Sequence, residues 1–278
     1  MKKLFFTFLI MSQITASAQD VKIMSYNLRL DTSSDKENQW SNRKEYLTDQ
    51  VKFYNPDFMG VQEALPNQME FIDNALASHK FIGKGREENS KGEYSAIFYN
   101  SDKFKLLEEN TFWLSETPEK VSKGWDAAYN RVCTYGLFQD KNTKKKIWFF
   151  NTHFDHVGDV ARVESGKLIL QKINQINKDN LPVVLTGDFN LEEKEAPIKV
   201  IETGLDLAKN VCKGLVFGPE GTFNNFEFHK PVTLRIDHIF VSKKGVEVTK
   251  FATLSDSKDC KYPSDHLPVY AEINFTKK

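Results

Sequence analysis

Six short polar motifs, each carrying an acid, an amide or a histidine, lie along this chain at the ends or turns of apolar, β-branched or aromatic runs. In order they are Ser25-Tyr26-Asn27, Gln62-Glu63, Thr152-His153, Gly187-Asp188-Phe189-Asn190, Arg235-Ile236-Asp237 and Ser264-Asp265-His266. Apolar runs of this length read as strands, and an acid that closes one is costly unless it faces solvent or a cation. Together they provide oxygen ligands for a hard cation, a carboxylate and an amide to aim a water, and two imidazoles to meet developing phosphate charge.

Before the first motif, Lys2 and Lys3 precede an apolar stretch from Leu4 to Met11 and then Ala16-Ser17-Ala18. This reads as a secretory signal peptide over 1–18, too short to span a bilayer, rather than as a buried helix. No cysteine follows the apolar stretch, so a lipid anchor is not indicated. The remaining 19–278 is expected to be a single exported domain, periplasmic or secreted, and monomeric. Cys133, Cys212 and Cys260 are an odd number and cannot form a disulfide framework, although one bridge is open to them.

Removing Lys2 and Lys3 takes the basic side chains from 38 to 36 against 38 acidic ones, a net of −2. A chain that grips many phosphates normally carries a basic stripe. The cluster Lys144-Lys145-Lys146 reads instead as the solvated turn of a hairpin, so a duplex partner is not favoured.

Strand-like and helical patterns interleave. Val21–Leu28 and Phe58–Gln62 read as strands, separated by helical spacing over Arg43–Tyr54 that Asn55-Pro56 stops. Runs at Ser95–Tyr99, Phe104–Trp113, Val132–Phe138 and Ile147–Asn151 suggest an antiparallel meander. Ile169, Ile173 and Ile176 place an amphipathic helix over Arg162–Lys178, ahead of a buried strand at Val183–Thr186. Late strands are expected at Ile236–Ser242 and Leu267–Phe275. The mixture suits an α/β sandwich of two packed sheets with helices on the outer faces.

Asp188 and Asn190 follow Val183-Val184-Leu185 and are two residues apart. In extended geometry they share a face and can grip one water, while an Asx turn is the bland alternative. Glu63 closes an apolar run and needs solvent or a cation, and Asn27 is either its neighbour or a turn asparagine. His153 and His266 follow or precede strands and can donate to a phosphoryl oxygen if an acid keeps the ring charged. Asp237 and Glu93 are candidates for that partner, set against the structural role that a lone histidine more often has. His156 lies in a loop, and His238 should face away from Asp237.

In these motifs, their order and their separations the chain resembles the endonuclease/exonuclease/phosphatase superfamily. Relatives include pancreatic-type deoxyribonucleases, abasic-site endonucleases, inositol polyphosphate 5-phosphatases and neutral sphingomyelinases. The resemblance spans nearly all of the chain after the leader. It implies a four-layered α/β sandwich of two mixed, mainly antiparallel β-sheets flanked by helices, with Mg²⁺ or Mn²⁺ as cofactor. It implies Glu63 as main metal ligand with Asn27 and Asp265 close to the ion, and Asp188 and Asn190 orienting or deprotonating the water. It further pairs His266 with Asp237, and sets His153, oriented by Glu93, on the other side of the phosphate. Arg131 stands where nuclease relatives place a phosphate-contacting arginine, or is a salt-bridging surface residue. Trp125 and Tyr129 could wall the pocket, and Arg162 lines another side or caps its helix. The chain resembles no single branch closely and lacks the paired cysteines of secreted deoxyribonucleases and the apolar hairpin of membrane-acting sphingomyelinases. The expectation is an exported metal-dependent phosphoric ester hydrolase, a phosphodiesterase or phosphatase, using in-line water attack on a small or carbohydrate-linked phosphate ester. The alternatives are a secreted nuclease and, from a different class, an inactive binding module.

Overall fold

Strand Val21–Asn27 is buried on both faces: Val21 and Ile23 enter one apolar cluster, Met24 and Tyr26 another. Strand Val183–Asp188 does the same, sending Val184 into that first cluster and Val183 and Leu185 into a third. Strands with two buried faces must lie inside a layered fold, each sheet covered on both sides.

The computed structural model describes residues 20–276, so the signal peptide expected over 1–18 lies outside the described residues. Along the chain run β1 (Val21–Asn27), α1 (Trp40–Tyr54), β2 (Phe58–Gln62), α2 (Pro66–Ala75), β3 (His79–Ile82), β4 (Gly85–Glu87), β5 (Lys91–Tyr94) and β6 (Ile97–Asn100). Then come β7 (Phe104–Trp113), β8 (Val132–Asp140), β9 (Lys146–His153), α3 (Asp159–Ile176), β10 (Val183–Asp188), α4 (Ala196–Glu202) and β11 (Leu205–Leu207). The chain closes with β12 (Leu215–Phe217), β13 (Asp237–Ser242), β14 (Val246–Thr253) and β15 (Val269–Phe275). A seven-stranded sheet has the order β12-β14-β15-β1-β2-β6-β3, a six-stranded sheet the order β11-β13-β10-β9-β8-β7, and β4-β5 form a separate ribbon.

The expected four-layered sandwich is what forms. The first cluster lies between the two sheets, where Phe58 stacks on Phe149 with ring centroids 5.0 Å apart. The second lies between the seven-stranded sheet and α1 with α2, and the third between the six-stranded sheet and α3 with α4. Both sheets are mixed and mainly antiparallel, with a parallel pair at the centre of each, β1 with β2 across α1 and β9 with β10 across α3, and a further parallel pair, β12 with β14, at the edge of the seven-stranded sheet. The Lys144-Lys145-Lys146 turn is an exposed hairpin between β8 and β9. All three cysteines are free. Among the described residues, no helix is long and apolar enough to cross a membrane.

The continuous meander read from the sequence is broken at one strand. β7, β8 and β9 do form a meander, but β6 pairs with β2 and β3 in the opposite sheet, because its side chains complete the core over Phe58 and Met59. β14 was invisible to period-two reading, since a bulge between Val248 and Lys250 shifts which side chains point inward. α2 escaped as a short helix, although Pro66 at its first turn and buried Met69 and Ile72 mark it.

Towards one end of the sandwich the layer between the sheets turns polar. Asn151 on β9 donates to the carbonyls of Val61 (2.8 Å) and Ala96 (2.9 Å), and its Oδ1 accepts from Gln62 Nε2 (2.7 Å) and Thr186 Oγ1 (2.9 Å). This hydrogen-bonded floor fixes the spacing of β2, β9 and β10 directly beneath the strand ends. It fits only because residue 60 is glycine: a Cβ there would meet Thr186 Oγ1 at 2.2 Å and Asn151 Oδ1 at 2.4 Å. Gly60→Ala is therefore expected to lower stability by about 1–3 kcal/mol through overpacking. Urea denaturation measures this, and an unchanged midpoint would refute the packed floor.

Candidate active site

Strand direction alone gathers the motifs. Because β1 and β2 run parallel, Asn27 and Gln62 end side by side, and because β9 and β10 run parallel, His153 and Asp188 do too. β13 is antiparallel to β10, so its first residue, Asp237, registers with Asp188. β15 is antiparallel to β1, so the segment leading into it arrives beside the end of β1, where Ser264 Oγ donates to the Asn27 carbonyl (2.8 Å). The two sheets then meet side chain to side chain: Asn27 Nδ2 donates to Asp188 Oδ2 at 2.8 Å and to Glu63 Oε1 at 3.1 Å.

Asp188 is the centre of the constellation. It is 1% exposed, its Oδ1 accepts from the Asn190 backbone N–H (2.9 Å), and its Oδ2 stands 3.5 Å from His153 Nε2 and 3.8 Å from His266 Nε2. Burial, and then the charge of Asp237, push its carboxyl up from 3.8 to about 7; His266, Asn190 and Asn27 oppose the rise. A carboxyl poised near neutrality is suited to taking a proton from an attacking water.

The two histidines differ in charge. Burial alone would lower His266, but Asp237 and Asp188 outweigh it and hold the ring well above its usual pKa. His266 Nδ1 is 2.8 Å from Asp237 Oδ2, and Asp237 is itself positioned by Thr222 Oγ1, which accepts from its backbone N–H at 3.1 Å. His153 goes the other way: burial, then Arg131 and Arg86, keep it well below its usual value and neutral. Its Nε2 accepts from Asn190 Nδ2 at 3.1 Å, a role that fits the uncharged ring.

Two sequence expectations change here. Asn190 does not continue an extended strand beside Asp188. It adopts φ +53° in an Asx turn and spends its amide on His153 and on the Phe154 carbonyl (3.0 Å). Glu93 stands 4.0 Å from His153 Nδ1, too far to orient it, because Arg86 takes both carboxylate oxygens at 2.7 and 2.8 Å. The ribbon β4-β5 presents that pair, and no pattern in the sequence marked Arg86.

The oxygen-rich side of the cleft fits a hard cation. Glu63 sits at φ +63° just past β2, a left-handed turn that takes it out of strand alternation, and Leu30 N–H holds its Oε2 at 3.1 Å. Asp265 is 4% exposed; burial raises its carboxyl, the negative charge of Glu63 adds to the rise, and Arg29 Nε stands 3.8 Å away. Ligand atoms of Glu63, His153 and Asp188 lie within 4.8 Å of one another, as do those of Asp188, Asp237 and His266. Crowded carboxylates are what a divalent cation relieves, so half-buried Glu63 and buried Asp265 are the residues that could hold one beside Asp188. Asn27 lies between Glu63 and Asp188 as a donor to both, with its Oδ1 turned to the Arg29 N–H (3.0 Å).

Arg131 is 5% exposed, not a surface residue. Its Nε stands 3.5 Å from Asp155 Oδ2 and its Nη2 donates to His156 Nδ1 at 3.3 Å, which gives His156 a supporting role that its loop position did not reveal. Asp155 is held well below the usual carboxylate range: burial would raise it, but the N–H groups of Gly158, Val157 and Ala128 and the charge of Arg131 prevail. Tyr129 stacks on His156 beside them. Trp125 is half-buried in a left-handed turn with its backbone N–H on Glu116, and Arg162 pairs with Asp159 one turn back on α3. His238 faces away as expected, with Nε2 on the Leu191 carbonyl (2.8 Å) and its pKa lowered to about 4 by burial.

Sequence reasoning also missed Arg43. It occupies the buried stripe of α1 with Trp40, Leu47 and Val51, and donates to the carbonyls of Leu28 (2.5 Å), Arg29 (2.6 Å), Asn38 (2.9 Å) and Pro263 (3.1 Å). It thereby ties the turn after Asn27 to the segment before Asp265. A charged residue on an apolar helical stripe was the available signal.

The sequence pattern of the Endonuclease/Exonuclease/phosphatase family matches residues 24–266, and the chain belongs to that family of metal-dependent phosphohydrolases. Among solved structures it is similar to an endonuclease/exonuclease/phosphatase family protein from Bacteroides thetaiotaomicron, 37% identical with a TM-score of 0.89, covering 93% of this chain and 99% of that one. It is likewise similar to a mannosyl-6-phosphatase from the same organism, 38% identical with a TM-score of 0.87, covering 92% and 100%. By sequence it is 24% identical to a CCR4-Not complex 3'-5'-exoribonuclease subunit of Candida albicans, over 86% of this chain and 38% of that protein. The chain spans less than two thirds of the length of such sequence relatives.

The raised Asp188 carboxyl has a consequence for stability. In the unfolded chain it ionises near 3.8 and in the folded chain near 7, so its contribution is full below 3.8 and is lost as pH rises to about 7. In chelator, Asp188→Asn should therefore gain stability relative to the parent as pH goes from 4 to 7. Paired thermal melts check it, and a difference independent of pH would contradict the shift.

Proposed function

We propose that this chain is an exported, divalent-cation-dependent phosphoric ester hydrolase acting on a small or carbohydrate-linked phosphate ester. The observation that carries the reading is the convergence of Asp188 with one neutral and one charged imidazole beside the carboxylate of Glu63. The similarity to a mannosyl-6-phosphatase over nearly all of both chains supports a sugar phosphate as substrate, and the near-neutral composition supports it over a polyanion. Lys2, Lys3 and the apolar stretch behind them support export.

A bound Mg²⁺ or Mn²⁺ supplies neutralisation of phosphate charge. The chain's own residues do the rest. Asp188 accepts the proton of the attacking water, and Asn27 fixes that carboxylate from the opposite sheet. His266, kept cationic by Asp237, donates from Nε2 to a phosphoryl oxygen. His153, held by Asn190, supports the other side, and Arg131 adds positive potential behind it. Such chemistry is positioning and charge compensation, with few covalent demands on the protein.

The test is a panel of mannose 6-phosphate, bis-p-nitrophenyl phosphate, RNA and supercoiled plasmid, with and without chelator. Metal-dependent release of phosphate from the sugar ester is expected, and Asp188→Asn and Glu63→Gln should each lower turnover by on the order of 10²-fold or more. Faster turnover of RNA or plasmid than of the sugar ester would replace this reading with a secreted nuclease, which the exoribonuclease relative represents. No turnover of any ester would leave only a binding module. Mass spectrometry of the expressed protein's N-terminus checks export, with cleavage after Ala18 expected.

A further inference from the structure

Beside the catalytic edge runs a two-lobed groove that the chemistry above does not use. One lobe, of about 490 Å³, lies between the start of α1 and the 258–263 loop; the other, of about 480 Å³, lies between that loop and the 226–230 loop. The two share Glu37 and Lys261, which form an ion pair at 2.9 Å on their common rim. Each volume is in the range of small-molecule sites.

Both walls are fastened to the active site. Pro263 lines the first lobe two residues before Asp265, and its carbonyl is bonded to Arg43. The second wall continues from Asn224, whose backbone N–H donates to the Asp265 carbonyl at 2.9 Å, and Phe223 on that segment packs against His266 with centroids 4.9 Å apart. The walls also hold two pairs of consecutive left-handed, non-glycine residues, Asn225 (φ 52°) with Phe226 (φ 60°) and Asp259 (φ 53°) with Cys260 (φ 59°). Such conformations are strained and gather at ligand clamps.

The lining indicates the occupant. Tyr46 and Tyr262 face the first lobe and Phe228 the second, with Phe228 and Tyr262 rings 5.1 Å apart. Asn38 and Asn42 add amides, which both donate and accept. The first lobe carries three acidic and three basic side chains, so it offers a polyanion no net attraction. Aromatic rings with amides and balanced charge suit the ring faces and hydroxyls of a neutral sugar.

We propose that this groove is a subsite for the neutral oligosaccharide that carries the phosphate, so that the chain takes a phosphorylated glycan rather than a free sugar phosphate. The inference rests on the sugar-ester reading above. Its test compares Tyr262→Ala and the exposed-site variant Asn42→Ala with the parent on a mannotriose bearing a terminal 6-phosphate and on p-nitrophenyl phosphate. The expected result for each variant is a KM for the trisaccharide raised about tenfold, with kcat within about twofold and p-nitrophenyl phosphate hydrolysis unchanged. Equal losses on both substrates, or no loss on the trisaccharide, overturn the subsite. Calorimetric titration with unphosphorylated mannotriose gives a readout independent of catalysis. Binding to the parent that is lost in Tyr262→Ala supports the groove even if a nuclease assay displaces the hydrolase reading, and absence of binding to the parent refutes it.

Discussion

The site depends on a single buried carboxylate placed where two sheets touch. Asp188 reaches the inter-sheet layer from β10, Asn27 reaches it from β1, and the 2.8 Å bond between them joins the two halves of the molecule at the point of chemistry. Buried among so few compensating charges, that carboxyl is driven towards neutrality, and the same field sorts its neighbours. His266, with Asp237 behind it, keeps its proton against burial, whereas His153, lowered by burial and then by Arg131 and Arg86, gives it up. Two residues of one type thereby become a cation and a neutral acceptor about one carboxylate.

That arrangement needs a rigid support, and the polar floor beneath it supplies one. Asn151, Gln62 and Thr186 fix the separation of β2, β9 and β10, and Gly60 leaves the space they occupy. On the opposite flank Arg43 performs the same service for irregular chain, drawing four carbonyls onto one guanidinium so that the turn after β1 and the approach to β15 cannot move independently. Buried hydrogen bonds of this kind rigidify what they touch. The left-handed backbone at Glu63 and Asn190 persists because these surroundings determine it.

Much of this is legible in the sequence. The apolar runs ending in Asn27, Glu63, His153 and Asp188 are strands whose termini carry the chemistry, and His238 was correctly turned away by alternation. What failed did so for identifiable reasons. Alternation misplaced Asn190 because an Asx turn follows Asp188, and it missed β14 because a bulge changes parity midway. Glu93 was assigned to His153 without knowledge that the ribbon carrying it also carries Arg86, a stronger, bidentate partner. β6 left the meander because sheet membership is set by which core its side chains complete, and that is a three-dimensional property.

By itself the sequence determined which residue types could perform the reaction and that they stand at strand ends, since hydrophobic periodicity is local and survives in one dimension. Tertiary structure decided everything that depends on distance between elements. It chose the partner of each histidine and hence its charge, buried Arg131 where the sequence had left its place open, and gathered the loops after β1, before β13 and before β15 into a groove. The physical reason is that electrostatic energy inside a protein depends on burial and separation of a few ångströms. Neither quantity is written in the spacing of residues along a chain.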